Sequence, residues 1–162
     1  MAKTLIGVMG PGAATEAERA AAFELGTLVA REGWVLVTGG RRAGVMEAAC
    51  RGARSAGGLV VGILPGEDAS GASDAVDISI VTGLGQARNN VNVLTSRVVI
   101  ACGMGAGTAS EVALAIRAGK PVVLLLAGDE ARAFFRSLGG ALVSVAETPR
   151  EAVSLARRLL SA

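Results

Sequence analysis

The chain has 162 residues, of which 51% are hydrophobic, and its formal net charge at pH 7 is +2. A chain of this length can bury a substantial core, so we expect residues 1–162 to form a single domain. The sequence contains no histidine, which excludes a Ser-His-Asp triad, a histidine general base and a histidine metal site. Any chemistry must therefore use carboxylates, Arg, Lys, Ser, Thr, Cys or backbone amides.

Charge and aromatic content argue against nucleic acid as a partner. Acidic residues are interspersed with basic ones, and the chain has one tryptophan and no tyrosine. Duplex-binding proteins usually carry a long positive stripe, and single-strand-binding proteins an aromatic stacking surface. We therefore expect no nucleic acid binding.

The amino terminus and the cysteines indicate a cytoplasmic protein. Residues 1–12 hold one lysine, a short apolar run and a glycine turn, without a signal-peptide pattern or a membrane span. Cys50 and Cys102 are too few for a disulfide framework and fit no metal-ligand spacing. We expect free thiols in a reducing compartment, no metal site and no membrane contact.

Short apolar runs alternate with longer Ala-rich amphipathic stretches, which is the rhythm of β-loop-α units. The predicted strands are residues 5–9, 35–37, 59–63, 78–81, 98–101, 122–126 and, more weakly, 141–143. The predicted helices are residues 16–31, 44–56, 86–96, 108–118, 130–138 and 149–160. Several strands are apolar throughout, as in parallel sheets covered on both faces. The pattern predicts a doubly wound α/β domain with a mainly parallel sheet of about seven strands.

Two helix ends carry clear local signals. Thr148 can cap the last helix, with Pro149 at its first position and Glu151 as the capping-box partner. Gly119 and Pro121 end the helix that precedes the sixth strand.

Three glycine-rich segments follow three predicted strands. They contain Gly10 and Gly12; Gly39, Gly40, Arg41, Arg42 and Gly44; and Gly103, Gly105, Ala106, Gly107 and Thr108. Loops after parallel strands lie at the carboxyl edge of a sheet, where they can converge on one crevice. Glycines allow close backbone approach, and helix amino termini offer free N–H groups to an anion. We expect these residues to bind a small phosphorylated ligand, although any single glycine loop is more often an ordinary turn.

Neither common nucleotide motif is present. Gly103, Gly105 and Gly107 fall at alternate positions, and no acidic residue follows at the spacing that binds a ribose, so we do not expect an NAD site. A Walker A loop is also absent, because no Gly-Lys-Ser/Thr follows a glycine loop.

The polar residues near the third loop are few. Arg88, Asn89 and Asn90 open one predicted helix, and Glu111 lies one turn into another. Arginine binds phosphate through two parallel hydrogen bonds, and a carboxylate in a glycine-lined cleft can act as an acid or base or hold a hydroxyl group. The alternative interpretation is that the arginines are solvated and that Glu111 only interacts with its helix dipole.

Residues 37–46 and 103–111 resemble the two hallmark segments of the LOG (LONELY GUY)-type Rossmann family, whose members often carry the name lysine decarboxylase. The resemblance covers nearly the whole chain and implies a Rossmann-like fold. Phosphoribohydrolase members cleave the N-glycosidic bond of a cytokinin riboside 5′-monophosphate with an arginine and a glutamate. Aligning Gly107 and Thr108 with the family motif places Glu111 on that glutamate and Arg88 on that arginine.

Departures from the hydrolase pattern point to a second branch. Gly103 and Met104 replace the proline and first glycine of the family's Pro-Gly-Gly motif, and Asn89 stands where hydrolases typically carry lysine. Residues 83–89 are closer to the molybdenum cofactor carrier proteins, which are distantly related to the DNA-processing protein DprA. This resemblance implies non-covalent binding of a molybdopterin-type cofactor by a homo-oligomer, often a tetramer.

Two functions follow as hypotheses. The first is non-catalytic carriage or storage of molybdenum cofactor, or of a similar phosphorylated pterin or nucleotide, with molybdoenzymes as recipients. The second is a nucleoside 5′-monophosphate phosphoribohydrolase, in which Glu111 assists departure or water attack and Arg88 steadies the phosphate-bearing ribose. Charge and aromatic content disfavour a third, a DprA-like DNA-binding module.

Two expectations concern residues outside these motifs. Cys102 directly precedes the third loop, which invites a role at the metal, but a cysteine ending a buried strand usually packs as a small apolar residue. The helical stretches 20–29 and 112–116 are apolar enough to supply both a core face and an interface in a dimer or tetramer.

Overall fold

Seven strands and six α-helices lie along residues 2–162, the part of the chain that the computed structural model describes, and helices separate all consecutive strands except β3 and β4. The strands are β1 (Leu5–Met9), β2 (Val35–Thr38), β3 (Val60–Leu64), β4 (Ile78–Val81), β5 (Val98–Cys102), β6 (Val122–Leu125) and β7 (Val143–Ala146). The α-helices are α1 (Glu16–Arg31), α2 (Gly44–Ser55), α3 (Arg88–Thr95), α4 (Ala106–Arg117), α5 (Asp129–Gly139) and α6 (Pro149–Ser161). Short 3-10 helices at Gly85–Ala87 and Gly140–Leu142 precede α3 and β7.

The strands form one parallel sheet in the order β4-β3-β2-β1-β5-β6-β7. β1 is central and pairs with β2 on one side and β5 on the other. The chain winds outward from β1 to β4 and then returns to β5, so its direction reverses between β1 and β5. The predicted doubly wound α/β fold is confirmed.

Helices cover both faces of the sheet. On one face α1, α2 and α6 pack around a core that includes Ile6, Leu36 and Ile100. On the other face α3, α4 and α5 surround Val99 and Leu124. Within residues 2–162 no helix is long and apolar enough to cross a membrane.

Every predicted strand and helix is present, with some ends displaced. The largest displacement is at β7, because residues 141–142 belong to a 3-10 helix and the strand continues to Ala146. α3 begins at Arg88, two residues later than predicted, since residues 85–87 form a 3-10 turn in which Gly85 has a φ of 56°. α4 begins two residues earlier than predicted, with Gly105 as its N-cap.

Capping interactions fix two helix starts. The Thr148 hydroxyl accepts a hydrogen bond from the Glu151 N–H at 3.1 Å, as predicted for α6. In a complete capping box the Glu151 carboxylate would accept from the N–H of Thr148. It instead accepts from the N–H of the preceding residue, Glu147, at 2.8 Å. Thr15 and Glu18 form a complete capping box on α1, which was not among the predicted helix caps.

The stretches 20–29 and 112–116, which are expected to supply both a core face and a subunit interface, are partly buried. Val112, Ala115, Leu25 and Val29 are fully buried. The exposed large apolar side chains include Phe23, Ile78, Ile80, Val81, Leu84, Leu94, Phe134 and Leu138. Phe23 lies within stretch 20–29, and the others lie on β4, on α3 and α5 and in the loop before α3.

Candidate functional site

Three loops meet at the carboxyl edge of the sheet and enclose a cleft of about 280 Å³. They are the β1–α1, β2–α2 and β5–α4 loops, which follow three adjacent strands. Because the winding reverses between β1 and β5, this is where open α/β sheets bind ligands. The lining residues are Met9, Gly10, Pro11, Gly12, Gly39, Arg41, Met46, Gln86, Arg88, Asn89, Gly105, Ala106, Gly107, Thr108 and Glu111.

The amino terminus of α4 presents unpaired donors at this cleft. Its N-cap is Gly105, which has no side chain to accept a hydrogen bond. The N–H groups of Ala106, Gly107 and Thr108 have no acceptor among the described residues 2–162. The Thr108 hydroxyl is also buried without a partner. Free N–H groups at a helix amino terminus, together with the helix dipole, favour an anion.

Arg88, Asn89, Asn92 and Glu111 form a buried polar cluster beside these donors. Arg88 is 8% exposed and Glu111 is 6% exposed. Arg88 Nη1 lies 4.0 Å from Glu111 Oε1 and donates to Asn89 Oδ1 at 3.1 Å. Asn92 Nδ2 donates to Glu111 Oε1 at 3.0 Å. Arg88 Nε and Asn92 Oδ1 are buried and have no hydrogen-bond partner within residues 2–162, so the cluster can form further hydrogen bonds.

Burial shifts the ionisation of both charged members of this cluster. Burial raises the pKa of Glu111 to about 7, although the Asn92 hydrogen bond and the Arg88 charge act to lower it. Burial also lowers the pKa of Arg88, an effect that the Glu111 charge opposes and the Arg41 charge reinforces. Arginine nevertheless stays protonated in proteins. Near pH 7 the cluster therefore holds a full positive charge and only part of a negative one.

Glycines line the cleft for two different reasons. A Cβ on Gly39 would lie 2.5 Å from Arg88 Nη1 and 2.8 Å from the Met46 sulfur, so this glycine makes room for the arginine. A Cβ on Gly107 would meet no atom within 4 Å, and one on Gly105 would make only an ordinary contact with Pro11. Packing therefore does not require glycine at positions 105 and 107, and the absence of side chains there leaves the cleft open.

Five residues predicted to bind the ligand do not line the cleft. Gly40 lies against the backbone of Gly62 on β3 with a φ of 71°. Gly103 has a φ of 78° and contacts the Glu18 side chain. Both glycines therefore serve the packing of the loops.

The other three of these five residues also contact protein or solvent. Gly44 packs against the carbonyl oxygens of Pro11 and Gly12, where a Cβ would clash. Arg42 turns outward to pair with Asp74 at 2.5 Å. Asn90 is exposed on α3. The other predicted binding residues, and Arg88 and Glu111, are brought together in the cleft.

Four lining residues are absent from the predicted set: Met9, Pro11, Met46 and Gln86. Pro11 lies between two predicted glycines and Gln86 lies two residues before Arg88, so their positions in these loops could have predicted that both residues line the cleft. Met9 and Met46 are apolar residues inside a strand and a helix, and sequence periodicity assigns such residues to the core.

Both cysteines lie outside the cleft. Cys102 Sγ is 3.6 Å from the Glu18 carbonyl oxygen, and burial raises the pKa of this thiol to about 12. Burial likewise raises the pKa of Cys50 to about 12. Among residues 2–162 no group of three His, Cys, Asp or Glu side chains is placed to hold a metal ion. Cys102 thus packs as a small apolar residue.

Glu111→Gln is expected to stabilise the protein above pH 7. The pKa of Glu111 is raised from 4.5 to about 7. The contribution of protonated Glu111 to the stability of the fold is therefore complete below pH 4.5 and is lost as the pH rises through 7. Glutamine stays neutral, so in urea titrations at pH 8 the variant should unfold with about 1–3 kcal/mol more free energy than wild type, and with an equal free energy near pH 4.5.

Glu32→Gln is a control with the opposite expected effect on stability. A hydrogen bond from Arg157 lowers the pKa of Glu32, so this variant should destabilise the protein at pH 8. A difference between Glu111→Gln and wild type that is the same at both pH values would contradict a raised pKa for Glu111.

Solved structures share this fold at high sequence identity. The molybdenum cofactor binding protein from the phototrophic bacterium Rippkaea orientalis superposes with a TM-score of 0.96 at 52% identity, covering 99% of each chain. The molybdenum cofactor carrier protein from Chlamydomonas reinhardtii superposes with a TM-score of 0.94 at 53% identity, covering 99% of this chain and 100% of that one.

Two further relatives extend the comparison. An uncharacterised protein from Archaeoglobus fulgidus is 46% identical over 120 residues, which is 74% of this chain and 78% of that protein. DNA processing protein A from Streptococcus pneumoniae has a TM-score of 0.73 at 16% identity, over 94% of this chain and 61% of that one, and shows the fold alone.

The resemblance to the molybdenum cofactor carrier branch, with a distant likeness to DprA, is therefore confirmed. The SLOG cluster4 family matches residues 3–153. This chain belongs to the SLOG cluster4 family.

Proposed function

We propose that the chain binds molybdenum cofactor non-covalently and carries or stores it without catalysing a reaction on it. The observation that carries this proposal is a group of donors with no acceptor among residues 2–162: three N–H groups of α4, and the buried Thr108 hydroxyl and Arg88 Nε, whose residues line the cleft. A ligand with an anionic group would supply the missing acceptors. Proteins that bind or carry this cofactor share 52–53% of their residues with this chain over nearly its whole length, which supports the choice of ligand.

The terminal phosphate of the cofactor suits these donors. Ala106, Gly107 and Thr108 would bind the phosphate oxygens through backbone N–H groups, and the Thr108 hydroxyl would add a further hydrogen bond. Arg88 would supply the charge, in a cleft where part of its guanidinium is already held by Asn89. A similar phosphorylated pterin or nucleotide would use the same anchor, with Arg41, Gln86 and the β1–α1 loop left to contact the rest of the ligand.

The chemistry of the lining suits carriage. The residues that line the cleft include no cysteine, and the two thiols of the chain are buried and protonated. Molybdenum would therefore reach and leave the site as part of the cofactor, without a protein thiolate bond to break. Such a bond would oppose transfer of the intact cofactor to a molybdoenzyme, which we propose as the recipient.

We also propose that residues 1–162 act as one domain, in a cytoplasmic homo-oligomer that is a dimer or tetramer. Exposed apolar side chains at Ile78 and Ile80 on the β4 edge and at Phe134 on α5 support self-association. The two free thiols support a reducing compartment. The weak net charge and scarce aromatic residues support a ligand other than nucleic acid.

Thr108→Val should weaken cofactor binding while stabilising the free protein. The buried Thr108 hydroxyl has no partner until a ligand arrives, so removing it should raise the free energy of unfolding by about 1 kcal/mol. The loss of one hydrogen bond to phosphate should weaken cofactor affinity about 2- to 10-fold in an anaerobic binding titration.

Thr38→Val is the matched control for this variant. The Thr38 hydroxyl is also buried without a partner but does not line the cleft. It should stabilise the protein similarly and leave the affinity unchanged. Equal affinities for wild type and Thr108→Val would remove Thr108 from the proposed phosphate site.

Gly105→Asp should abolish cofactor binding without harming the fold. Aspartate is a better N-cap than glycine by a few tenths of a kcal/mol, and the site has room for its Cβ. The carboxylate would take the helix N–H groups and repel the phosphate.

Gly128→Asp makes the same change at the N-cap of α5, which also lacks a side-chain cap and lies outside the cleft. Thermal unfolding with and without cofactor distinguishes the two variants, because a ligand that binds only the folded state raises its stability. The cofactor should shift the melting temperature of Gly128→Asp and not that of Gly105→Asp. Equal shifts would contradict phosphate binding at α4.

A second candidate function is hydrolysis of nucleoside 5′-monophosphates of the cytokinin riboside type. The contact between Arg88 and Glu111 in one cleft favours it, as does a pKa near 7 for Glu111, which suits a general acid. We expect no free base when the protein is incubated with AMP or a cytokinin riboside monophosphate and the products are separated by chromatography. Base release that Glu111→Gln abolishes would overturn the non-catalytic function.

A further inference from the structure

The cleft holds a buried carboxyl group beside its anion-binding donors. Glu111 follows Thr108 by three residues on α4, so both side chains lie on the same side of the helix and both line the cleft. Arg88 Nη1 lies 4.0 Å from Glu111 Oε1. An anion bound at α4 would add negative charge near Glu111 and would compete with it for the Arg88 guanidinium.

We propose that anion binding in this cleft is coupled to the uptake of one proton by Glu111, so that dianionic ligands bind more tightly as the pH falls. This inference rests on the proposed function, because it concerns the anion that the same cleft binds. Its consequence is that acidification favours loading and alkaline conditions favour release.

Few charged groups can compensate Glu111 apart from Arg88. The β2–α2 loop contributes Arg41, which is exposed at the cleft. β1 and β6, in the sheet near α4, carry no ionisable side chain, and Cys102 of β5 is a neutral thiol.

Two charged groups of the neighbouring helices α1 and α5 are already engaged. Glu18 of α1 accepts the Thr15 N–H at 2.8 Å. Arg132 of α5, which packs against α4, pairs with Glu147 at 2.9 Å. A bound dianion that draws on Arg88 therefore leaves Glu111 without a buried cation beside it, since Arg41 is exposed and Arg132 is paired.

Asn92 can serve either protonation state of Glu111. Its Nδ2 donates to Glu111 Oε1 at 3.0 Å, the arrangement that suits an ionised carboxylate. Its Oδ1 is buried without a partner. Rotating the amide by 180° exchanges these two atoms, and a protonated Glu111 can then donate to Oδ1. Protonation therefore does not leave the carboxyl group without an acceptor.

The ionisation of the free protein gives the direction of the coupling. Burial has already raised the pKa of Glu111 to about 7, and the negative charge of a bound anion raises it further. Between pH 7 and the higher pKa of the complex, the group is ionised in the free protein and protonated in the complex, so binding takes up a proton. Well below pH 7 it is protonated in both, and the uptake disappears.

Calorimetric titration of the full chain with sulfate measures this uptake directly. Sulfate remains a dianion across the neutral range, so its own titration does not contribute. Comparing buffers of different ionisation enthalpy gives the number of protons. We expect a net proton uptake, of at most one proton per sulfate, near pH 8.5 and close to none near pH 6, with an affinity that falls by at most about tenfold per pH unit above 7. Molybdenum cofactor should give the same dependence above pH 7.5, where its phosphate no longer titrates.

Glu111→Gln assigns the proton to its residue. This variant should take up no proton and, near pH 8.5, should bind sulfate more tightly than wild type, by at most about 30-fold, since it mimics the protonated group. Glu18→Gln is the matched control, because it removes a neighbouring negative charge and keeps an oxygen that can accept from Thr15. It should retain the wild-type proton uptake.

The outcomes separate this inference from the proposed function. Anion binding without proton uptake near pH 8.5, or uptake that persists in Glu111→Gln, overturns the inference and leaves cofactor carriage standing. Sulfate binding with proton uptake but no binding of cofactor supports the inference and contradicts carriage. Binding of neither sulfate nor cofactor overturns both.

Discussion

Arg88 brings a buried guanidinium group to the carboxyl edge of the sheet, and the candidate site is arranged around this charge. An uncompensated buried charge is strongly unfavourable, so the neighbouring elements accommodate it. Glu111 lies 4.0 Å away, Asn89 accepts one N–H, and Gly39 leaves space that any side chain would fill. Arg88 Nε has no acceptor in the described part of the chain, so the guanidinium group is only partly hydrogen-bonded. A ligand acceptor would complete it.

The β5–α4 loop likewise contains hydrogen-bond donors that lack protein acceptors among the described residues. Thr15 and Thr148 cap α1 and α6 with hydroxyl groups, whereas α4 starts at a glycine and leaves its first N–H groups unpaired. The free protein lacks the stabilisation that a capping hydrogen bond would give α4, and a bound phosphate would supply the missing acceptors. Changes that stabilise this loop in the free protein should therefore weaken binding, which is the relation expected of a site formed before its ligand arrives. The raised pKa of Glu111 belongs to the same pattern, since burial makes its ionised form unfavourable in the absence of a closer cation.

The order of strands and helices could be predicted from the sequence because its signals are local: apolar runs, glycine turns and caps. β7 was misplaced because Gly140, with a φ of 53°, opens a 3-10 turn inside an apolar stretch. The cleft could be located from three glycine loops that follow strands. The sequence could not separate Arg41, which lines the cleft, from Arg42, because Arg42 is turned away by Asp74, 32 residues further on. Gly103 and Gly107 also look alike in sequence, but contact with Glu18 on α1 makes the first a packing residue. Such distinctions depend on atoms from distant segments, which local patterns do not contain.

Amide NMR spectra test the central claim, that the amino terminus of α4 binds the phosphate of molybdenum cofactor. We would titrate isotope-labelled protein anaerobically with the cofactor and with its dephosphorylated form. We predict that the amide protons of Ala106, Gly107 and Thr108 shift downfield with the phosphorylated cofactor and remain in place with the dephosphorylated one. Equal shifts with both ligands, or shifts confined to the groove between α1 and α2 near Arg19 and Phe23, would contradict the claim.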